Sequence, residues 1–125
     1  VSTEPRMVDV TVMETRIVPI PEPGWCVDPH DGAQYFTDLT HNGRETAATI
    51  DTGRGEVRFL AAWISQAPYL VSTPELHPVV SVELDSGSCD FDANDVHRLT
   101  AVLRARADEL DELAAEALRY RGGDQ

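Results

Sequence analysis

The run EVRFLAAWISQ, Glu56 to Gln66, decides the fold. Read with a period of two, Val57, Phe59, Ala61 and Trp63 share one face, and Leu60, Ala62 and Ile64 share the other. Both faces are then apolar, as in a strand covered on two sides. The same run fits a buried helix, because Ala61-Ala62 favours helix and no Gly or Pro interrupts it. We place it among several antiparallel strands, with the helical reading of 56–66 left open.

Just upstream, DTGRG (Asp51–Gly55) has the chemistry of a hairpin turn, with Asp51 to initiate it and two glycines for positive φ. Asp51-Thr52-Gly53 is also the aspartic-protease tripeptide. Arg54 follows it where that pattern wants a small residue, so the turn reading takes precedence. RETAATI (Arg44–Ile50) is the expected return strand, and Asn42-Gly43 suits a type I′ hairpin turn. AQYFTDLTH (Ala33–His41) reads as a strand carrying Tyr35, Thr37, Leu39 and His41 on one face.

Nearer the start, Val8, Val10 and Val12 alternate with Asp9, Thr11 and Met13, which predicts a first strand within 5–20. Pro19, Pro21 and Pro23 end it, since proline cannot donate to a ladder. Downstream, Pro68, Pro74 and Pro78 punctuate a loop. VVSVELD (Val79–Asp85) then alternates as a strand with one wet face.

The last third has a different period. Val96, Leu99, Leu103, Leu110, Leu113 and Ala117 recur at helical spacing, widened by Val102, Ala114 and Leu118. Asp92 is the expected N-cap with Asp95 as its capping-box partner, and Gly122-Gly123 the expected stop. From Ala93 to Arg121 such a helix is roughly 40 Å long at 1.5 Å per residue, against about 20 Å for a short strand. It should overhang its sheet, so either its far end bends or its leucines meet a second helix, giving a homodimer. Arg106, on the seam between Leu103 and Leu110, argues against a long regular coiled coil.

Together these elements predict one α+β domain: a small antiparallel sheet packed by one long C-terminal helix. Its parts are a first strand in 5–20, a proline-rich Trp-Cys/His loop at 21–33, antiparallel strands over 34–85, and the helix at 92–121. A chain of 125 residues suffices for one buried core.

Charge narrows the partners. Asp and Glu number 22 against 10 basic residues, all arginine, for a formal net charge of −12. Such a surface repels phosphate backbones and anionic lipid, so direct nucleic-acid and membrane binding are not expected. A protein partner with a basic surface is. No run of about 18 apolar residues spans a membrane, and residues 1–10 lack the basic and apolar regions of a signal peptide. The expected compartment is the cytoplasm, a trimmed leader staying open. Cys26 and Cys89 are too few for a disulfide framework, although one bridge between them is open. The aspartates around Cys89, namely Asp85, Asp90 and Asp92, would raise its thiol pKa and argue against a nucleophile.

PEPGWCVDPHDG (Pro21–Gly32) holds the remaining chemistry. Glu22, Cys26 and His30, with His41 beyond, offer a carboxylate, a thiolate and two imidazoles, the donor types zinc takes. The spacing Cys-x3-His-x10-His is no standard finger. A packed small Cys26 beside Trp25, with exposed histidines, accounts for the same residues without metal.

GWCVDPHDG, followed by DLTHNG, VSVELD and the leucine- and alanine-rich helix, resembles small actinobacterial and actinophage proteins grouped as domain of unknown function 6907. The resemblance runs from about Ile17 to Arg121, and its most specific part is Trp25-Cys26 with His30 and His41. It implies a Cys2His2-like metal site whose first cysteine falls on Glu22 here, with Pro23 retained. It implies no activity. The expected function is therefore a non-enzymatic protein-binding or regulatory module. The alternative is a metal-stabilised or metal-dependent small enzyme in which Cys26, His30 and His41 hold zinc and Glu22 acts as ligand or general base.

Overall fold

Gly55 to Gln66 is a strand, and the sheet is assembled around it. The computed structural model describes residues 4–84 and 87–122. In chain order the strands are β1 (His41–Asn42), β2 (Thr46–Thr52), β3 (Gly55–Gln66) and β4 (Val79–Val82), followed by helix α1 (Val96–Arg121). All pairings are antiparallel and all involve β3. Ala62 pairs with both Thr46 and Val82, and Ser65 with both Asn42 and Val79. Hence β4 occupies one edge of β3, while β1 and β2 share the other.

The helical reading of 56–66 fails because this run is paired along its length, with β2 and then β1 on one side and with β4 on the other over Ala62–Ser65. Its apolar residues are buried or half-buried. The β2–β3 hairpin closes as expected over Gly53-Arg54. Thr52 Oγ1 accepts from the Arg54 amide (3.1 Å) and donates to the Gly55 carbonyl (2.8 Å), and Gly55 takes φ +112°.

β3 is not regular. Between Thr46↔Ala62 and Ala48↔Phe59 it carries two residues against one on β2, a bulge with Leu60 at φ +50°. A left-handed leucine costs about 1–2 kcal/mol, so something must hold it. Arg106 of α1 does. Its guanidinium donates to the Leu60 carbonyl from Nε (3.1 Å) and Nη2 (2.8 Å), and to the Thr46 carbonyl from Nη2 (3.1 Å). Nη1 reaches Thr46 Oγ1 (3.3 Å) and Glu109 (3.1 Å). Arg106 is 1% exposed. The arginine that interrupts the leucine seam is thus the peg fixing the helix to the sheet.

Around it the core is small: Leu39, Ala48, Ile50, Ala61, Ala62, Ile64, Ala67 and Ala117. The alanines let the helix backbone approach the sheet closely. α1 packs on β2, β3 and β4. Its C-terminal turn is tied down by Arg121 Nε donating to the Pro78 carbonyl (2.9 Å) and by Tyr120 stacked on Trp25 (6.0 Å between ring centroids). Asp92 caps a short 3-10 turn, Ala93–Asp95, by accepting from the Asn94 amide (2.9 Å). No reciprocal bond from the Asp95 side chain completes a box. The Gly122 amide closes α1 on the Leu118 and Arg119 carbonyls; Gly123 and Asp85 lie outside the described residues.

Three expectations are corrected. Residues 5–20 form no strand: Val8, Val10 and Val12 alternate, but no strand edge lies beside them and they stay exposed. Ala33–His41 is not a strand either. Phe36–Asp38 is a 3-10 turn, the Phe36 ring lies on Tyr69 (4.3 Å), and pairing begins only at His41. Asn42-Gly43 makes no hairpin, because β1 and β2 lie along the same edge of β3. Gly43 continues that edge, its amide donating to the Ile64 carbonyl at 2.7 Å. No helix among the described residues is long and apolar enough to cross a membrane. Cys26 and Cys89 are free.

Candidate metal centre

The proline-rich loop turns back on itself and lands on β1. The Cys26 amide donates to the Pro23 carbonyl (3.0 Å), and the Val27 amide to the Asn42 carbonyl (2.8 Å). Asp28 then makes the turn that presents His30. Its carboxylate accepts from the His30 amide two residues on (2.9 Å) and from the Asn42 side-chain amide (2.9 Å). His30 takes φ +52°, a left-handed conformation that non-glycine residues adopt at a cost of about 1–3 kcal/mol.

This folding brings together all four residues singled out in the sequence. One donor atom each from Glu22, Cys26, His30 and His41 lies within 4.8 Å of the others. His30 Nε2 stands 3.7 Å from Cys26 Sγ and 3.1 Å from Glu22 Oε1. Donor atoms around a tetrahedral zinc, bound at 2.0–2.3 Å, stand roughly 3.3–3.7 Å apart; the 3.7 Å separation lies in that range, and the others would have to adjust by up to about 1 Å to seat one ion. The donors differ in setting: His41 is 3% exposed, Cys26 and His30 are half-buried, and Glu22 faces solvent.

His41 gives the sharpest observation. Its Nδ1 is buried and has no hydrogen-bond partner among the described residues. A buried polar atom without a partner costs about 1–3 kcal/mol, and proteins rarely leave one so. Burial holds this imidazole below the usual histidine range, His30 adding to the effect, so it is neutral with a lone pair to offer. Burial pushes the Cys26 thiol up, Glu22 adding to it, so the free chain carries a thiol that a metal would have to deprotonate. Asp28 is held below the usual carboxylate range by the His30 amide and then by Asn42. The four residues could hold a metal ion.

A second tier orients the first. Trp63 Nε1 donates to Asn42 Oδ1 (3.1 Å), Asn42 donates to Asp28, and Asp28 Oδ1 lies 3.9 Å from His30 Nδ1. Trp25 packs edge-on against His41 (6.4 Å) while stacking on Tyr120, linking the cluster to the end of α1. Asp28, Asn42 and Trp63 belong to the site although the ligand spacing in the sequence does not point to them. Asp28 had a local signal, an Asp-Pro-His turn. The other two had none, since Trp63 meets Asn42 only through the sheet. The Asp51-Thr52-Gly53 tripeptide lies in the β2–β3 hairpin, with Asp51 exposed.

No curated protein and no solved structure matches the chain. The family model for domain of unknown function DUF6907 matches residues 7–119, a span that holds the cluster, the whole sheet and most of α1. The chain therefore belongs to the family described as domain of unknown function DUF6907.

Proposed function

We propose that this is a non-enzymatic protein-binding domain whose proline-rich loop is fastened to the sheet by a structural zinc ion. The buried Nδ1 of His41, without a hydrogen-bond partner among the described residues and beside three further donors, carries the metal reading. Four protein ligands would fill a tetrahedral ion, the arrangement of zinc that stabilises rather than reacts. Zinc would draw the proton from Cys26 and join Glu22, Cys26 and His30 of the loop to His41 of β1. The protein-binding part rests on charge: at −12 the chain suits a basic protein surface.

Elemental analysis of purified protein tests the metal. One zinc per chain is expected, falling to background in Cys26→Ala and His41→Ala; wild type without zinc above those controls ends the reading. Recovery of partners from cell extract at rising salt tests the rest, with release as screening grows. A chain that retains nothing at low salt is no such module.

The exposure of Glu22 supports a second reading, in which three ligands hold zinc and Glu22 acts as a general base. Glu22→Gln separates the two. Loss of zinc makes Glu22 a ligand, and retention leaves it free for chemistry.

A further inference from the structure

The helix has two apolar stripes, and the sheet uses one. Leu99, Val102, Arg106, Leu113, Ala117 and Tyr120 lie on the side of α1 that is buried or half-buried. About a quarter-turn away runs a second line: Val96, Leu103, Ala107, Leu110, Ala114 and Leu118. Most of it is open, with Val96 41%, Leu103 39% and Leu118 62% exposed and Ala107 and Ala114 exposed, while Leu110 is half-buried. Arg106, which interrupts the leucine spacing between Leu103 and Leu110, is turned into the β3 bulge and off this stripe.

The stripe is self-complementary. In heptad terms Ala107 and Ala114 take position a, and Val96, Leu103 and Leu110 take position d. Set antiparallel to a copy of itself about an axis between Asp108 and Glu109, it places Leu103 against the copy's Ala114 and Leu110 against its Ala107. Both of these layers are large against small and each occurs twice; beyond them Val96 faces the copy's Arg121. The flank away from the sheet, position e, holds Arg104 and Asp111. In that register Arg104 of each chain faces Asp111 of the other, again twice. Neither side chain has a hydrogen bond or ion pair among the described residues, and both are exposed. The other flank is already occupied by the sheet.

We propose that α1 pairs with α1 of a second copy, antiparallel across a two-fold axis, through this stripe and the reciprocal Arg104–Asp111 pairs. The charge pattern selects the occupant. A lone arginine and a lone aspartate seven residues apart are satisfied together by an antiparallel copy, and the alanines at position a allow the close approach. The matched layers from Leu103 to Ala114 cover about two heptads with alanines in them, which fits weak self-association of roughly micromolar strength or weaker and not an obligate dimer.

Sedimentation of the full chain from about 1 µM to 1 mM, a range that brackets such an affinity, tests this. Wild type is expected to pass from one chain's mass to two. Arg104→Asp places like charges across both pairs, as does Asp111→Arg, and each is expected to weaken association about tenfold or more. An equimolar mixture of the two variants restores it, because each then meets its complement. Both residues are exposed, so circular dichroism should confirm an unchanged fold. The stripe lies outside the ligand loop, so the outcome does not depend on bound metal. Wild type that stays at one chain's mass overturns the proposal. So do single variants that associate like wild type, or a mixture that associates no better than its parts.

Discussion

Arg106→Met asks whether one buried guanidinium holds the helix on the sheet. The methionine keeps most of the apolar stem and removes the forked head. The Leu60 carbonyl then loses both of its donors from Arg106, and Thr46 loses the donors to its carbonyl and to its Oγ1, leaving two carbonyls to find other partners beneath α1. Each bare carbonyl costs about 1–3 kcal/mol. The left-handed Leu60 loses the contact that stabilises it, worth about another 1 kcal/mol. Against this, a guanidinium no longer has to be desolvated, which recovers part of the loss. A net destabilisation of about 3 kcal/mol follows, or a fall in Tm of roughly 10 °C for a chain of this size. Calorimetric melting and urea unfolding would measure it. Arg106→Lys should fall between, since one ammonium keeps the charge but cannot fork across both carbonyls. Glu109→Gln should be nearly neutral, because that carboxylate is about half exposed. A methionine variant melting within about 2 °C of wild type would refute the anchoring role, since that gap corresponds to well under 1 kcal/mol.

Three further outcomes follow from the site and the edge beside it. A chelator should lower the Tm of the zinc-loaded chain and leave His41→Ala nearly unmoved; equal shifts in both would show that the cluster is not where metal acts. In the chelated chain the folded-state pKa of His41 is depressed, so its share of stability is complete above the ordinary histidine range and declines as pH falls toward the lowered value. Cys26, its pKa raised by burial, loses its share as pH climbs past the ordinary thiol range. Melting temperatures across pH should therefore sag on both sides of neutrality, and a flat profile below pH 6 would contradict the burial assigned to His41. Gly43→Ala should cost about 1–3 kcal/mol, because the new Cβ would stand 3.3 Å from the Ile64 carbonyl and 3.5 Å from that of Trp25. Unchanged stability would mean that the loop and β3 are less closely held than these distances require.

The matched span includes residues 7–20, where an alternating strand-like run has no partner among the described strands. A pattern of period two states which residues could share a face, but it does not supply the edge that would bind them. Val8, Val10 and Val12 show the difference. Val80 and Val82 carry the same alternation and form β4, because β3 offers them an open side.

Much was readable in order along the chain. Helical spacing from Val96 to Ala117, the caps at Asp92 and Gly122 and the turn at Gly53-Arg54 are local, fixed by a few neighbouring residues and the backbone they prefer. The four candidate ligands were legible too, as donor types gathered near prolines. What only the tertiary structure decided is long-range. It settled that Glu56–Gln66 is a strand, because partners appeared on both edges. It turned Asn42 from a hairpin residue into a bridge between Trp63 and Asp28. It moved Arg106 from a flaw in a seam to the bond between helix and bulge. The reason is the same in each case: a local pattern fixes what a residue can offer, and only the packed chain fixes what stands opposite to accept it.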